Sequence, residues 1–255
     1  MFTSKSKGDL GRRVVRVLEV EPDLAADLDP GALQVATAEL VAPATPIEWR
    51  TRREPWGPAE TQGYLGLLIV QGMLLREVSL AGSASAEILG KGDLLRPWEV
   101  DGEFQLPMPS EGTWTVLAPC EVAVLGTPFL RRAARWPEVL ARLTARAVAR
   151  ARSLALHDAL TNLKHVETRL LVQFWHLAER WGRVGPECIA IPVPLTHEML
   201  AKLVGATRPS VTTALGRLAA RKLLVRAADG AWRLAHDSRE ALAPLPVEAG
   251  TRLVA

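Results

Sequence analysis

One stretch limits what this chain can fold into more than any other: residues 194–232, PLTHEMLAKLVGATRPSVTTALGRLAARKLLVRAADGAW. Met199, Leu200, Leu203 and Val204 fall on one stripe at helical spacing, and Thr196 stands where a side-chain oxygen caps such a helix. Gly205 breaks the pattern, as a residue of positive φ at a helix C-terminus does. Thr207 can cap a second helix, with Arg208 and Pro209 in its first turn, where a missing amide hydrogen costs nothing. Val211, Ala214, Leu215 and Leu218 make its inward stripe, and Ser210, Thr212, Thr213 and Arg217 its other face. Two short helices joined by a tight Gly-containing turn predict a helix-turn-helix, whose second helix enters the DNA major groove. Residues 223–226 and 231–234 flank Asp229-Gly230, which predicts a hairpin, the wing, directly behind it.

An ordinary helical hairpin would share the apolar pattern but not the charge. Between 196 and 233, Lys202, Arg208, Arg217, Arg221, Lys222, Arg226 and Arg233 oppose only Glu198 and Asp229, a local net of +5 against +3 for all 255 residues. Basic charge concentrated on this segment points to nucleic acid more firmly than the overall balance does. A hydrophobic content of 48% supplies real cores, with room for two modest domains. No apolar run reaches the ~18 residues of a membrane span, and no signal peptide precedes the first strongly charged residues. A cytoplasmic location is expected. Cys120 and Cys188 are isolated, too few for a four-thiolate metal site and no sign of a disulfide framework.

Along the chain, the first ten residues are polar. Residues 10–28 read as a helix broken near Pro22, with Val14, Val17, Leu18 and Leu24 apolar, and Asp29-Pro30-Gly31 reads as its stop. From about 33 to 125, short apolar runs separated by Pro, Gly and charge predict a β-sandwich or roll, with a turn at Gln71-Gly72 and loops over 50–62 and 97–112. Trp136-Pro137-Glu138 opens a long helix to about Ala159, carrying Val139, Leu140, Leu143, Ala147, Ala151 and Leu154, with arginines 142, 146, 150 and 152 on its flanks. It is either a core helix between domains or an intermolecular seam; the seam is favoured, because helix-turn-helix proteins read two half-sites as dimers. A second helix is predicted over 166–180, and residues 236–255 read as a tail with room for one short helix over 239–242.

A roll, a long helix and a winged helix-turn-helix in this order resemble the catabolite activator and fumarate-nitrate regulator family of bacterial transcription factors. The likeness spans roughly residues 62–234. It is strongest in VLARLTARAVARARSL, VETRLLVQFWHLAERWG and the helix-turn-helix itself, and weaker in LLIVQGMLL and ILGKGDLL of the roll. The resemblance implies an α+β fold: an N-terminal antiparallel β-roll like a cyclic-nucleotide-binding domain (1–134), a dimerisation helix (135–162), a winged helix-turn-helix (163–238) and a tail (239–255). It implies a homodimer through helix 137–159, double-stranded DNA as partner, and room for RNA polymerase contact and an unknown effector in the roll. By position, Thr196 matches a cap and phosphate contact, Arg208 an arginine that reaches a guanine edge or phosphate, and Ser210 a phosphate-contacting hydroxyl. Thr207, Thr212, Thr213, Arg217 and Lys222 complete the expected DNA-binding set.

Pro209 replaces a base-reading glutamate common in relatives, and Thr213 an arginine, so the DNA sequence read should differ. In the roll, Arg96-Pro97 and Ser110-Glu111 stand near the places where cyclic-nucleotide binders hold ribose and cyclic phosphate, and a glutamate there repels phosphate. Neither cyclic nucleotide control nor any cofactor is expected. Residues 33–125 contain none of the five histidines, and His165 and His176, read as lying on helices with roughly the same face, lack a third ligand. No nucleophile elbow or phosphate-cradling glycine loop is present, so an enzyme is not expected. The alternative to a transcription regulator is an effector-binding or scaffold protein whose winged domain mediates protein contacts.

Overall fold

The computed structural model describes residues 13–47, 50–51, 65–96 and 110–242. The polar start, Trp49, Tyr64, Pro97, Trp98, most of both expected loops and the tail beyond 242 lie outside them. The chain divides into two compact units, Met1–Ala155 and Leu156–Ala255.

The first unit opens with β1 (Arg13–Arg16), a single helical turn α1 (Val17–Val20) and a 3-10 turn (Pro22–Ala25), not the helix expected over 10–28. Arg13–Arg16 pairs antiparallel with β2 (Val41–Ile47). Val15 is buried and Val14 is 64% exposed. A short mixed run of valines and arginines satisfies either period, and a partner strand distant in sequence decides it. Asp29-Pro30-Gly31 starts a helix rather than stopping one. The Asp29 carboxylate accepts from the amides of Gly31 and Ala32, both at 3.0 Å, and caps α2 (Pro30–Glu39) with proline in its first turn.

The roll is an antiparallel sheet, seven-stranded among the described residues, along the path β1-β2-β7-β4-β5. β3 (Arg50–Thr51) pairs with β7, so those two residues are strand, not loop. β4 (Gly66–Leu80) and β5 (Ser83–Gly90) form a hairpin, and β6 (Leu94–Leu95) pairs back on β4. β7 (Ser110–Leu125) runs beside nearly all of β4, joining two runs that read as separate and taking in residues expected as loop. Gln71-Gly72 is not a turn but a bulge in the unbroken β4, where the register with β7 shifts. Gly72 has φ +85°, and a Cβ there would lie 2.0 Å from the Pro119 carbonyl oxygen. Pro119 has no amide hydrogen to give the ladder, so both residues suit an irregularity that bends the pair of strands together. Ile47, Leu67, Ile69, Leu74, Leu89, Leu95, Trp114, Val116, Cys120 and Val122 pack one face of the sheet into a core.

The opposite face packs Leu68, Val70 and Leu125 against α1, α2, α3 (Thr127–Ala133) and the start of α4 (Pro137–Thr161), through Phe129, Trp136, Val139 and Leu143. From Arg142 onward the helix is also tied down by charge. Arg142 holds Asp27 through two hydrogen bonds of 2.6 and 2.8 Å. Arg146 meets Glu21 at 2.9 Å, Asp23 at 2.5 Å and the Gly92 carbonyl at 2.7 Å. Arg150 reaches Glu87 at 2.5 Å, which also takes Arg76 at 3.2 Å. Three of the four arginines expected on the flanks therefore grip the roll, while Val148 and Leu154 stay 46% and 40% exposed.

The second unit holds α5 (Val166–Trp181), β8 (Arg183–Val184), β9 (Cys188–Ile191), α6 (His197–Leu203), α7 (Arg208–Ala220), β10 (Leu224–Arg226), β11 (Trp232–Ala235) and a 3-10 turn (His236–Leu242). Its sheet has the order β10-β11-β9-β8, so the wing hairpin extends onto two strands the sequence reading did not include. Phe174 of α5 packs on Trp232 with ring centroids 5.0 Å apart. His165 is the N-cap of α5 rather than a residue within it, so His165 and His176 do not share a helical face.

Candidate nucleic-acid interface

Both caps of the helix-turn-helix form. The Thr196 hydroxyl accepts from the Met199 amide at 3.2 Å, and Thr207 accepts from the Ser210 amide at 3.4 Å. Thr207 and Ser210 also share a hydroxyl–hydroxyl bond of 2.8 Å. At the turn, Gly205 has φ +60° and the Ala206 amide donates to the Ala201 carbonyl, the pattern that closes a helix through a left-handed residue. The space matters as much as the dihedral: a Cβ on Gly205 would lie 3.1 Å from Thr161.

α7 is sealed on one side and bare on the other. Val211, Ala214, Leu215 and Leu218 are buried, whereas Arg208, Pro209, Ser210, Thr212, Thr213 and Arg217 are exposed. Thirteen residues at 1.5 Å each make a rod of about 20 Å, which fits a groove about 12 Å wide. Thr207, Arg208, Ser210, Thr212 and Thr213 cluster in its first two turns, and Thr196 and His197 adjoin them through a hydrogen bond between His197 Nδ1 and Thr212 Oγ1 at 2.9 Å. Arg217 lies more than a turn further on, held by Glu167 of α5 at 3.0 Å. Lys222 sits past the far end with φ +58°. Arg226 and Arg233 of the wing are exposed, and the Arg226 guanidinium lies 5.6 Å over the Trp232 ring.

Sequence reasoning passed over two residues here. Arg169 of α5 donates to the carbonyls of Leu163 at 2.6 Å, Val204 at 3.2 Å and Gly205 at 2.9 Å, satisfying groups at the end of α6. Nothing in helical periodicity marks such an arginine, since its partners lie 35 and 36 positions away. The other is His197, to which the sequence pattern assigns no role, although its place beside the Thr196 cap puts it next to the second helix.

Among the described residues, no group of three or more His, Cys, Asp or Glu is placed to hold a metal ion, and no helix is long and apolar enough to cross a membrane. Burial pushes the Cys120 thiol up to about 12, with the Glu121 charge adding to it, so that sulfur is unreactive at neutral pH.

A sealed apolar helix face, a capped and exposed recognition face and a basic wing define a winged helix-turn-helix DNA-binding protein. Residues 168–245 match the family described as the Crp-like helix-turn-helix domain. FixK2 from Bradyrhizobium japonicum is 17% identical, with 81% of this chain and 99% of that one covered at a TM-score of 0.58. A CooA variant from Carboxydothermus hydrogenoformans gives 15%, 87%, 93% and 0.60 for the same quantities. The c-di-GMP-responsive regulator CLP of Xanthomonas campestris gives 16%, 81%, 99% and 0.54. No curated protein sequence matches. The family match covers the C-terminal helix-turn-helix, and the likeness to these solved structures, each under 20% identical, extends the shared fold to the rest of the chain.

Proposed function

We propose that this protein is a homodimeric, sequence-specific transcription regulator whose roll does not take a cyclic nucleotide. The observation that carries the DNA reading is α7, anchored by four buried side chains and exposing Arg208, Ser210, Thr212, Thr213 and Arg217 with no acidic residue among its exposed positions. In this reading Thr196, Thr207 and Ser210 meet phosphates, Arg208 reaches a base edge, and Thr212 and Thr213 lie against the groove floor. Lys222 neutralises a phosphate at the far end. Arg217 contributes less than its charge suggests, because Glu167 already holds it.

Dimerisation is supported by α4. Its inner arginines are spent on the roll, while Thr144, Val148, Ala151 and Ala155 are spaced alternately four and three apart along its free side. Mobility shifts on genomic fragments, with light scattering on the free protein, test the reading. Retained fragments and a dimer mass are expected. No retention at low salt would overturn it and favour a scaffold whose winged domain binds protein.

A further inference from the structure

The outward side of α7 divides into a crest and two flanks. At about 3.6 residues per turn, Val211, Ala214, Leu215 and Leu218 make one buried stripe, and Pro209, Thr213, Gly216 and Ala220 run in a line opposite its middle. All of these opposite residues are exposed. They form the crest, the part of the helix that reaches deepest into a groove. Arg208 and Thr212 lie on one flank of it, and Ser210, Arg217 and Arg221 on the other. Charge is therefore confined to the flanks, and the crest offers a proline ring, one threonine and two positions no larger than a methyl group. A Cβ at Gly216 would meet nothing within 4 Å, so the fold itself makes no demand for glycine there.

The same composition limits what the helix can read. Residues 208–220 include no Asn, Gln, Asp or Glu. Asn and Gln are the side chains that pair with adenine through N6 and N7, and Asp and Glu those that accept from cytosine N4. Arg208, assigned above to a base edge, suits guanine, and it stands off the crest. What the floor of the major groove offers to an apolar crest is the 5-methyl group of thymine. Thr212, beside the crest, has its hydroxyl oxygen 3.0 Å from the Arg208 carbonyl and 2.9 Å from His197 Nδ1, so it too meets a base through its methyl.

Resting on the DNA-binding reading, we propose that Thr213 is a specificity-determining residue: its methyl group, with the Pro209 ring and Thr212 beside it, selects half-sites by their thymine 5-methyl groups. Cytosine and the purines carry no methyl on that edge, so each leaves the crest facing a gap or a polar group. The preference then rests on a group that can be removed from the DNA without touching base pairing.

The test begins with selection of duplexes by the full chain from a randomised library at low salt. Fluorescence anisotropy then compares the selected duplex with copies in which deoxyuridine replaces thymine at single positions, which removes the methyl and nothing else. At least one enriched thymine in each half-site should lose about fourfold in affinity on that exchange, the worth of one buried methyl. At that position Thr213→Val, which keeps a methyl and loses the hydroxyl, should still prefer thymine. Thr213→Ser, which keeps the hydroxyl alone, should bind the thymine and uracil duplexes alike. Deoxyuridine tolerated at every enriched thymine overturns the proposal, as does a Thr213→Ser protein that discriminates like the wild type. Retention of the library without enrichment of any sequence also overturns it and leaves general DNA binding standing. No retention at all overturns the DNA reading and this one with it. The deoxyuridine series uses the wild-type chain, so it decides the matter even if a variant fails to fold.

Discussion

The two helices of the motif end in the same hydrogen-bond pattern with different residues at the critical place. After α6 the left-handed position is Gly205; after α7 it is Lys222, with its amide donating to Ala219 and the Leu223 amide to Leu218. A side chain in that conformation costs about 1–2 kcal/mol relative to the right-handed form. Thr161 closes off the space at Gly205, so Gly205→Ala should destabilise the second unit by about 1–3 kcal/mol, measured by urea unfolding. Lys222→Gly should do the reverse, stabilising by roughly 0.5–1 kcal/mol, while lowering the salt slope of DNA binding by about one. Stabilisation with an unchanged slope would show that the lysine does not touch phosphate. Arg208→Ala should weaken specific binding by about 1–3 kcal/mol, and equal loss on scrambled DNA would reassign Arg208 to the backbone.

Among the elements, those with long, strong periodicity were the legible ones. α4, α5 and the helix-turn-helix each repeat their apolar stripe over several turns or carry caps that fix their ends. β1 and the bulge in β4 were not legible, because a strand partner distant in sequence decides both: Val41–Ile47 for Arg13–Arg16, and Pro119 for Gly72. The flanking arginines of α4 are legible in the sequence, but their partners are not. Only the structure sets them opposite Glu21, Asp23, Asp27 and Glu87, and that placement gives the clamp a pH signature. The Arg142 hydrogen bond and charge hold the Asp27 carboxyl below its usual range against slight desolvation. For Asp23, burial pushes upward, but the Arg146 hydrogen bond and charge outweigh it. Carboxyls depressed in the folded state stabilise it above their ordinary value near 3.8 and lose that contribution as pH falls below it. Denaturant titrations should therefore show the first unit weakening below about pH 4, less steeply in Arg142→Ala/Arg146→Ala. On the opposite side of the same helix, Val148→Glu/Ala151→Glu should weaken the dimer at least about a hundredfold, since an interface burying unpaired carboxylates loses roughly 3 kcal/mol or more. A dimer mass retained at micromolar concentration would place the interface elsewhere.

For the whole molecule, residue types alone lead to the expectation of a sensor-like roll that takes no cyclic nucleotide, and we propose that packing among the described residues is what excludes it. The sheet face carrying Leu67, Ile69, Leu74, Leu89, Trp114 and Val122 is filled by its own side chains, all 2% exposed or less. At its charged end Arg76 stacks 5.4 Å over Trp114 and is paired with Glu87, which Arg150 also holds. A cyclic phosphate entering there would have to displace an internal carboxylate from two guanidiniums and open a packed core, each step costing several kcal/mol. Calorimetric titration with cyclic AMP and cyclic GMP should accordingly show no saturable uptake in the micromolar range, and neither nucleotide should change the mobility shift on DNA. Glu87→Gln separates the two obstacles: it removes the competing carboxylate but leaves the apolar packing in place. If uptake appears in Glu87→Gln, charge alone excludes the nucleotide; if it stays absent there, the packed core is sufficient. Saturable micromolar uptake by the wild type would mean that this core opens on binding, and the roll would have to be reassigned as a cyclic-nucleotide sensor.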